Sequence, residues 1–293
     1  MPVDSQALEI KRYSPVIGAE IRGVDLNELA TNPAACDLVY EALIKHQVIF
    51  FRDQELTPEA HMRLARSFGE PEPPHPVYPH VEGWDQIVQL KSGQGAVPDA
   101  ADWHKDVTFR SNPPFASLLH QVVAPSCGGD TLFLSASAAY DALSAGWKLD
   151  LKELEAVHDI GTFRNDFLKK GGIEAVDDAL KRLGSAVHKV VSVHPVTKKK
   201  YLNVNTSFTR HIVGIVQGES DRILQFLFNH LAKPEFNCRF QWERNSVAIW
   251  YVVRLCATAL PFPSMPLPCR RVWSPTLTNP AHPPSIHLCL AHD

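Results

Sequence analysis

The residues best able to do chemistry lie in segment 103–109, whose sequence is WHKDVTF. This segment places a histidine and an aspartate two positions apart, and its β-branched and aromatic residues predict a strand. Because side chains two apart in a strand project from the same face, we expect His104 and Asp106 to lie side by side. One imidazole and one carboxylate are two of the three ligands in the facial triad that holds non-haem Fe(II).

The context of this pair favours a metal site more than the pair does alone. In a chain with 14 histidines, an acidic residue also falls two positions after a histidine by chance, as Glu82 does after His80. What distinguishes His104 and Asp106 is a strand-like frame, a preceding loop at 92–102 rich in Gly, Ala and Asp, and a Gly-Gly-Asp-Thr turn that ends at Thr131. The sequence therefore predicts an iron site at this strand.

Short predicted strands outnumber long predicted helices along the chain. Alternating or compact apolar runs favour strands, whereas apolar residues spaced three and four apart favour helices. Many short strands of this kind predict a mainly β fold with helices packed outside, a double-stranded β-helix or jelly roll. The predicted strands are short pieces within 8–27, then 47–51, 87–90, 103–109, 116–123, 131–134, 190–196, 201–204, 240–242 and 247–250; the predicted helices are 26–30, 34–45, 58–68, 135–144 and 219–232, with a charged, helix-prone insert at 148–185.

Composition narrows the class of protein. The chain has 293 residues, 45% of them hydrophobic, and a formal net charge of −3. We therefore expect a folded globular protein and no nucleic-acid-binding polycation. No apolar stretch is long enough to predict a membrane span, and residues 1–6 lack the pattern of a signal peptide. The six scattered cysteines include no Cys-x-x-Cys pair, which favours reduced thiols and a cytoplasmic location.

The last 43 residues differ in composition from the rest. Residues 251–293 hold eight prolines and three of the six cysteines, no lysine or glutamate, and one acidic residue, Asp293. Strand and helix periods are not visible in this stretch. We therefore predict one domain over residues 1–250 and a divergent, Pro-rich tail over 251–293.

Several blocks together resemble a known family. The 103–109 block is followed by prolines at 113–114, by the Gly-Gly-Asp-Thr block at 125–133, and by a helical block at 138–144. With the further blocks at 46–54, 75–80, 233–236 and 247–250, the sequence is similar to the TauD/TfdA family of Fe(II)- and 2-oxoglutarate-dependent dioxygenases. The resemblance covers about residues 8–250, in the family's order, and within the family it points to taurine, alkylsulfonate and alkylsulfate dioxygenases.

The resemblance implies a jelly roll and a set of site residues. His104 and Asp106 would bind Fe(II), and Thr131 would contact the carboxylate of the co-substrate 2-oxoglutarate. His75 and Tyr78 would donate hydrogen bonds to the anionic group of the substrate, while Val107 and Phe208 would line the pocket. These implied roles compete with ordinary structural ones, since a strand-starting Thr, a Pro-rich surface loop and core Val or Phe would have the same residue types.

The implied reaction is oxidative. 2-Oxoglutarate and O2 are consumed to give succinate and CO2, and the carbon beside a sulfonate or sulfate ester is hydroxylated. The product then collapses to an aldehyde plus sulfite or sulfate. The expected partner is a small anionic organosulfur substrate, with neither nucleic acid nor a membrane, and a homo-oligomer is compatible with the sequence. Ala100 stands where taurine dioxygenase has an asparagine, which keeps other sulfonates and sulfate esters open as substrates.

The resemblance ends after Trp250. Family members continue with the distal iron histidine and then an arginine that pairs with 2-oxoglutarate, whereas the next histidine here is His282. Neither role can be carried over to a matching position. Out-of-frame translation, alternative splicing or genuine divergence would each account for this tail. The alternative prediction is a catalytically impaired homologue that serves as a binding or regulatory protein; a cupin-like sugar-binding domain fits the blocks less well.

Overall fold

The computed structural model describes residues 8–92 and 102–251, with the backbone alone at 91–92, and the backbone of three further strands at 255–259, 269–272 and 285–289. The fold is mixed α+β. The helices are α1 (Leu26–Leu29), α2 (Pro33–His46), α3 (Pro58–Phe68), α4 (Ala136–Asp141), α5 (Ala145–Asp150), α6 (Phe163–Leu183) and α7 (Gln217–Leu231), with a 3₁₀ turn at Pro234–Phe236. The strands are β1 (Glu9–Arg12), β2 (Ala19–Arg22), β3 (Val48–Phe51), β4 (Glu70–Pro71), β5 (His80–Val81), β6 (Trp84–Val88), β7 (Leu90–Ser92), β8 (Ala116–Val123), β9 (Thr131–Ser135), β10 (Glu155–His158), β11 (Ala186–Lys189), β12 (Val191–Val193), β13 (Lys200–Leu202), β14 (Thr209–Ile212), β15 (Asn237–Phe240), β16 (Ser246–Tyr251), β17 (Leu255–Ala259), β18 (Cys269–Val272) and β19 (Ser285–Cys289).

The largest sheet is mixed and has β16 near its centre. Its strands run in the order β1-β2-β3-β16-β8-β19-β6-β5, with β18 paired to β7 and β8 and with β4 paired to β19. β16 is antiparallel to both neighbours, so that Ile249 lies opposite Ile49 of β3 and Trp250 lies opposite Ser117 of β8. Every residue of β3 and β16 is buried, as continuous apolar runs predict. The strands expected at 47–51 and 247–250 are confirmed.

Smaller sheets complete the fold. They have the strand orders β15-β9-β17, β11-β10-β14 and β12-β13. β9 pairs with β15, which places Thr131 opposite Phe240. An apolar cluster joins Phe163 on α6 to Phe208, which precedes β14. The same cluster contains Val107 and Phe109 of segment 103–109.

Local capping rules explain where the main helices begin. The side chains of Asp25, Asn32, Thr57, Ser135 and Ser144 each accept a hydrogen bond from a backbone N–H in the first turn of α1 to α5, as N-cap residues do. At α3 the prediction from sequence is confirmed in detail, because the Thr57 side chain accepts the Ala60 N–H and Pro58 occupies the first turn. The N–H of Gly69 closes the same helix on the Ala65 carbonyl, 3.2 Å away.

The strand expected at 103–109 is wrong. His104 makes a single bridge, and residues 106–109 form a turn in which the Arg110 N–H donates to the Val107 carbonyl, 3.0 Å away. Val107 has φ of 44°, a value that no strand residue adopts. The β-branched and aromatic composition of the segment reflects side chains that pack in the core, since Val107 and Phe109 are buried.

The insert at 148–185 is less helical than its composition predicts. α5 ends at Asp150, β10 follows, and the long helix α6 begins only at Phe163. α6 is also interrupted by non-helical backbone at Gly171 and Gly172. Within residues 8–92 and 102–251, no helix combines the length and apolar character that crossing a membrane requires.

Three short strands lie in the stretch where the sequence predicted no regular element. The backbone of β17 pairs with β9, that of β18 with β7 and β8, and that of β19 with β4, β6 and β8. β19 runs parallel to β8 with His287 in register with Ser117. The side chains beyond Tyr251 lie outside the described residues. The division into a domain over 1–250 and a tail over 251–293 therefore stays a prediction.

We expect Gly161→Ala to destabilise the fold by about 3 kcal/mol or more, because φ strain and a steric clash add. Gly161 has φ of +51°, and an added Cβ would overlap the carbonyl of Ser207. The control is Gly214→Ala, where φ is +77° but nothing lies within 4 Å of the added atom, so only about 1 kcal/mol is expected. Urea unfolding measures both; equal losses would contradict the clash.

Candidate metal centre and substrate pocket

His104 and Asp106 face each other across a buried turn. His104 Nε2 lies 3.6 Å from Asp106 Oδ1. The other ring nitrogen, Nδ1, is 2.9 Å from the Asp102 carbonyl oxygen, so Nδ1 carries the proton and donates. The lone pair of Nε2 is therefore directed toward the carboxylate side, which is the tautomer that a metal-binding histidine uses. The adjacency expected from the sequence is present, although a turn produces it.

Burial pushes both members of the pair toward their neutral forms. It lowers the pKa of His104, against the hydrogen bond to Asp102, which raises it. It raises the pKa of Asp106 to about 7, although hydrogen bonds from Ser117 and Trp250 lower it. A neutral imidazole and a carboxylate held together in a desolvated place are the donor set that a divalent cation stabilises.

Two neighbouring strands orient the Asp106 carboxylate. The Ser117 hydroxyl on β8 donates to Asp106 Oδ2 over 2.8 Å, and the Trp250 side chain on β16 also hydrogen-bonds to this carboxyl group. Ser117 and Trp250 are register partners in the sheet, so their side chains reach Asp106 together. Sequence analysis missed Ser117, because nothing in its local pattern distinguishes it from another strand serine.

The segment that precedes β14 supports the backbone of the candidate centre. The Trp103 carbonyl accepts hydrogen bonds from the Thr206 and Ser207 N–H groups at 3.1 and 3.3 Å and from the Thr206 hydroxyl at 2.8 Å. The buried Lys105 ammonium donates to the Leu202 carbonyl over 2.7 Å. The turn is thus attached to a segment about a hundred positions later in the chain.

His75 and Tyr78, the predicted anion-binding residues, stack on each other with ring centroids 4.8 Å apart. His75 Nδ1 accepts the backbone N–H groups of Val77 and Tyr78, both over 3.2 Å. Because Nδ1 is an acceptor, the proton of the neutral ring is on Nε2. Burial lowers the pKa of His75 to about 3, so His75 is a neutral hydrogen-bond donor at physiological pH.

Aromatic side chains enclose this stacked pair. The Phe163 ring is 5.6 Å from His75, 5.7 Å from Tyr78 and 5.4 Å from Phe208, measured between centroids. Val107 and Phe208 belong to the same apolar cluster as Phe163, with Tyr78 packed against it. The structure therefore brings all four residues predicted to bind the substrate to one place, beside the turn that carries Asp106. Phe163, which sequence analysis missed, links them.

Thr131 lies in another sheet, on β9, and is buried. Its Oγ1 accepts a hydrogen bond from the indole N–H of Trp242 over 2.9 Å. The role expected of Thr131, donation to a carboxylate of 2-oxoglutarate, stays a prediction.

A third metal donor does not join the pair in the described part of the chain. Across residues 8–92 and 102–251, no group of three or more His, Cys, Asp or Glu side chains is placed to hold an ion. His211, a conceivable substitute ligand by sequence order although its family counterpart is not a ligand, is on β14 opposite Val157. The described donors therefore fill two coordination positions of a metal ion. Ala100 and His282, which the sequence analysis named, lie outside the described residues.

We expect the protein to lose stability as the pH falls below about 6.5, because buried neutral histidines must gain protons on unfolding. Burial lowers the pKa of His75 and of His158 to about 3. The native state therefore binds fewer protons than the unfolded state between pH 3 and 6.5, and each histidine costs roughly 2 kcal/mol at pH 5. Thermal unfolding from pH 5 to 8 measures this. His75→Phe should weaken the dependence of the melting temperature on pH. Gln54→Ala, a buried control that does not titrate, should show the same pH dependence as the unmodified protein.

The class of protein now follows from comparison with known families. A family model described as "Taurine catabolism dioxygenase TauD, TfdA family" matches residues 9–272, which is most of the chain. The chain therefore belongs to the TauD/TfdA family, whose members are dioxygenase enzymes. The resemblance read from the sequence blocks is confirmed.

Individual relatives agree with this assignment. The chain is 34% identical over 256 residues to an alkylsulfatase of Acinetobacter baylyi, covering 84% of this chain and 78% of that protein. It is also 34% identical over 252 residues to an alpha-ketoglutarate-dependent sulfate ester dioxygenase of Pseudomonas putida, covering 83% and 81%. A crystal structure of a taurine dioxygenase from Burkholderia xenovorans aligns with a TM-score of 0.78 at 31% identity, over 96% of this chain and 94% of the other.

Proposed function

We propose that this protein is an Fe(II)- and 2-oxoglutarate-dependent dioxygenase that hydroxylates the carbon next to a sulfonate or sulfate ester. The products are an aldehyde with sulfite or sulfate, succinate and CO2. The observation that carries the proposal is the approach of His104 Nε2 to Asp106 Oδ1, 3.6 Å apart, on a turn whose Val107 packs in the same apolar cluster as Tyr78. We also propose that the sheets form the jelly roll on which this family builds its site.

His104 and Asp106 are the residues that would hold Fe(II). When bound, the iron supplies the position at which O2 and 2-oxoglutarate react. The chain's own contribution is to hold the two donors: Asp102 sets the tautomer of His104, and Ser117 and Trp250 orient Asp106. We assign Thr131 the role of donating its hydroxyl hydrogen to a carboxylate of 2-oxoglutarate.

The side chains around His75 and Tyr78 suit an anionic substrate with an apolar chain. His75 Nε2–H and the Tyr78 hydroxyl are hydrogen-bond donors, and a donor bonded to a charged oxygen contributes more than one bonded to a neutral group. Val107, Phe163 and Phe208 supply apolar walls. Relatives named for alkyl sulfates and sulfate esters point to the same chemistry. We therefore propose a small organosulfur anion as the substrate. From the scattered cysteines we also propose a cytoplasmic location.

A second candidate function is favoured by one specific observation. The described residues bring two metal donors together and no third, and a site with two protein ligands would hold iron less tightly than a facial triad. A homologue of this kind would keep the pocket and bind an organosulfur anion without turning it over. It would serve as a binding or regulatory protein.

Oxygen consumption separates the two candidates. The protein with Fe(II), ascorbate and 2-oxoglutarate is supplied with hexyl sulfate, butanesulfonate or taurine, and with hexanoate as a carboxylate control. A dioxygenase consumes O2 and releases succinate and sulfate or sulfite in equal amounts, and only with an organosulfur substrate. Absence of substrate-dependent O2 uptake, together with calorimetric binding of hexyl sulfate, would reject the proposed dioxygenase and support the binding protein.

A further inference from the structure

The turn that carries Asp106 contains a strained residue. Val107 has φ of 44°, in the left-handed region that β-branched residues rarely adopt. Such conformations persist where the surrounding structure imposes them, and they occur often at functional sites. Ser117 hydrogen-bonds to Asp106 and Thr206 to Trp103, both before Val107, so other contacts hold the turn on the side that follows it.

His188 Nε2 donates to the carbonyl of Thr108, the residue after Val107, over 2.8 Å and lies 3.1 Å from the Arg110 carbonyl. Thr108 is also held at its side chain by two buried residues. Its hydroxyl accepts a hydrogen bond from Asn205 Nδ2 over 3.2 Å, and it lies 3.0 Å from His158 Nδ1. Thr108, Asn205 and His158 are all buried, so water does not compete for these hydrogen bonds. The other ring nitrogen of His158 lies 3.3 Å from the Thr209 hydroxyl.

The other end of the Asn205 carboxamide is attached to the pocket wall. Asn205 Oδ1 accepts the backbone N–H of Phe208 over 2.9 Å. The backbone of Asn205 is itself fixed by Thr209, whose hydroxyl accepts the Asn205 N–H over 2.9 Å and whose N–H donates to the Asn205 carbonyl over 3.2 Å. One amide side chain thus connects the turn beside the metal donors to the residue that lines the pocket.

We infer that Asn205 is a positioning residue that holds the 106–109 turn in its strained conformation and sets the Phe208 wall of the pocket relative to it. Its donor and acceptor ends are both used, and the two partners belong to the two parts of the candidate site. A rigid carboxamide between them keeps the metal donors and the bound substrate in one geometry. The assignment of these parts to metal and substrate rests on the proposed function; the mechanical connection does not.

Amide hydrogen exchange tests the connection without any ligand. The reporter is the Arg110 N–H, which closes the turn on the Val107 carbonyl, 3.0 Å away. Asn205→Ala and Thr108→Val should speed exchange at Arg110 by roughly tenfold or more, because each removes buried hydrogen bonds from the turn. Thr108→Ser keeps the hydroxyl and should retain the protection.

Gln54→Ala is the matched control. Gln54 is also a buried carboxamide that joins separate segments, since Oε1 accepts the Leu26 N–H over 2.8 Å and Nε2 donates to the Val24 and Arg52 carbonyls over 3.1 and 2.7 Å. Its side-chain hydrogen bonds go to residues beside α1 and β3 and not to the turn. Its loss should lower the melting temperature without changing exchange at Arg110.

Metal titration of the apo-protein gives the second readout. With Co(II) as the probe, Asn205→Ala should weaken binding roughly 10–100-fold, the loss typical of partners that orient metal ligands, and Gln54→Ala should leave it unchanged. If the unmodified protein binds no Co(II) or Fe(II), the proposed function fails, and the exchange measurement alone decides the inference. Unchanged Arg110 exchange in both Asn205→Ala and Thr108→Val, with both variants folded, would overturn it.

Discussion

Asp106→Asn is expected to abolish metal binding and metal-dependent oxygen consumption. The asparagine has the same shape and can still accept the Ser117 hydroxyl hydrogen, which donates to Asp106 Oδ2 over 2.8 Å, so the fold should survive. What is lost is the anionic donor that faces His104 Nε2 at 3.6 Å. Divalent cations prefer a charged oxygen to a neutral amide. The loss should exceed the roughly 100-fold upper range for residues that only orient a ligand.

The control for this substitution is Asp85→Asn, at an exposed position on β6. Co(II) titration and substrate-dependent O2 uptake are measured on both variants, with thermal unfolding to show that each is folded. Asp85→Asn should behave like the unmodified protein. If Asp106→Asn binds Co(II) with unchanged affinity, the Asp106 carboxylate is not a metal ligand, and the proposed function loses its main support.

His75→Phe is expected to raise the KM for an organosulfur substrate roughly 10–100-fold, the range for losing one hydrogen bond to a charged group. Phenylalanine keeps a flat ring to stack on Tyr78, whose centroid is 4.8 Å away. It removes the Nε2–H donor, and it also removes the acceptor for the backbone N–H groups of Val77 and Tyr78. The KM for 2-oxoglutarate should not change, because that co-substrate is assigned to Thr131.

Tyr78→Phe is the graded partner of this variant. It keeps the ring and the backbone of the loop and removes a single hydroxyl, so its effect on the substrate KM should be smaller than that of His75→Phe. Initial rates at varied hexyl sulfate, with 2-oxoglutarate saturating, measure both. If His75→Phe leaves the KM for hexyl sulfate unaltered, the anion is recognised elsewhere, and the aromatic cluster around Phe163 is core rather than pocket.

Features governed by local physics were predictable from the sequence. Thr57 and Pro58 at the start of α3, with Gly69 at its end, follow from capping and backbone preferences that act within one helical turn. The apolar runs of β3 and β16 predict buried strands for the same local reason. The family assignment also came from short blocks, because a catalytic segment keeps its residue types even where its backbone conformation is hard to read.

The 106–109 turn shows how a correct adjacency can follow from an incorrect element. The sequence predicts that His104 and Asp106 are neighbours because alternate strand residues share a face, yet residues 106–109 form a turn and Val107 adopts φ of 44°. No sequence rule predicts a β-branched residue in that region. Contacts on both sides hold it: Ser117 and Thr206 bind residues before Val107. Asn205, His158 and His188 bind Thr108 after it.

By itself the sequence determined the family, and it predicted two metal donors and the residues that contact the substrate, since these depend on residue type and short spacing. The tertiary structure decided how those residues are held. Asn205 reaches Thr108 across 97 positions, and Trp242 reaches Thr131 across 111. Contacts at such separations have no local period in the sequence, because they form only when distant segments fold against each other and the cost in chain entropy is offset by burial.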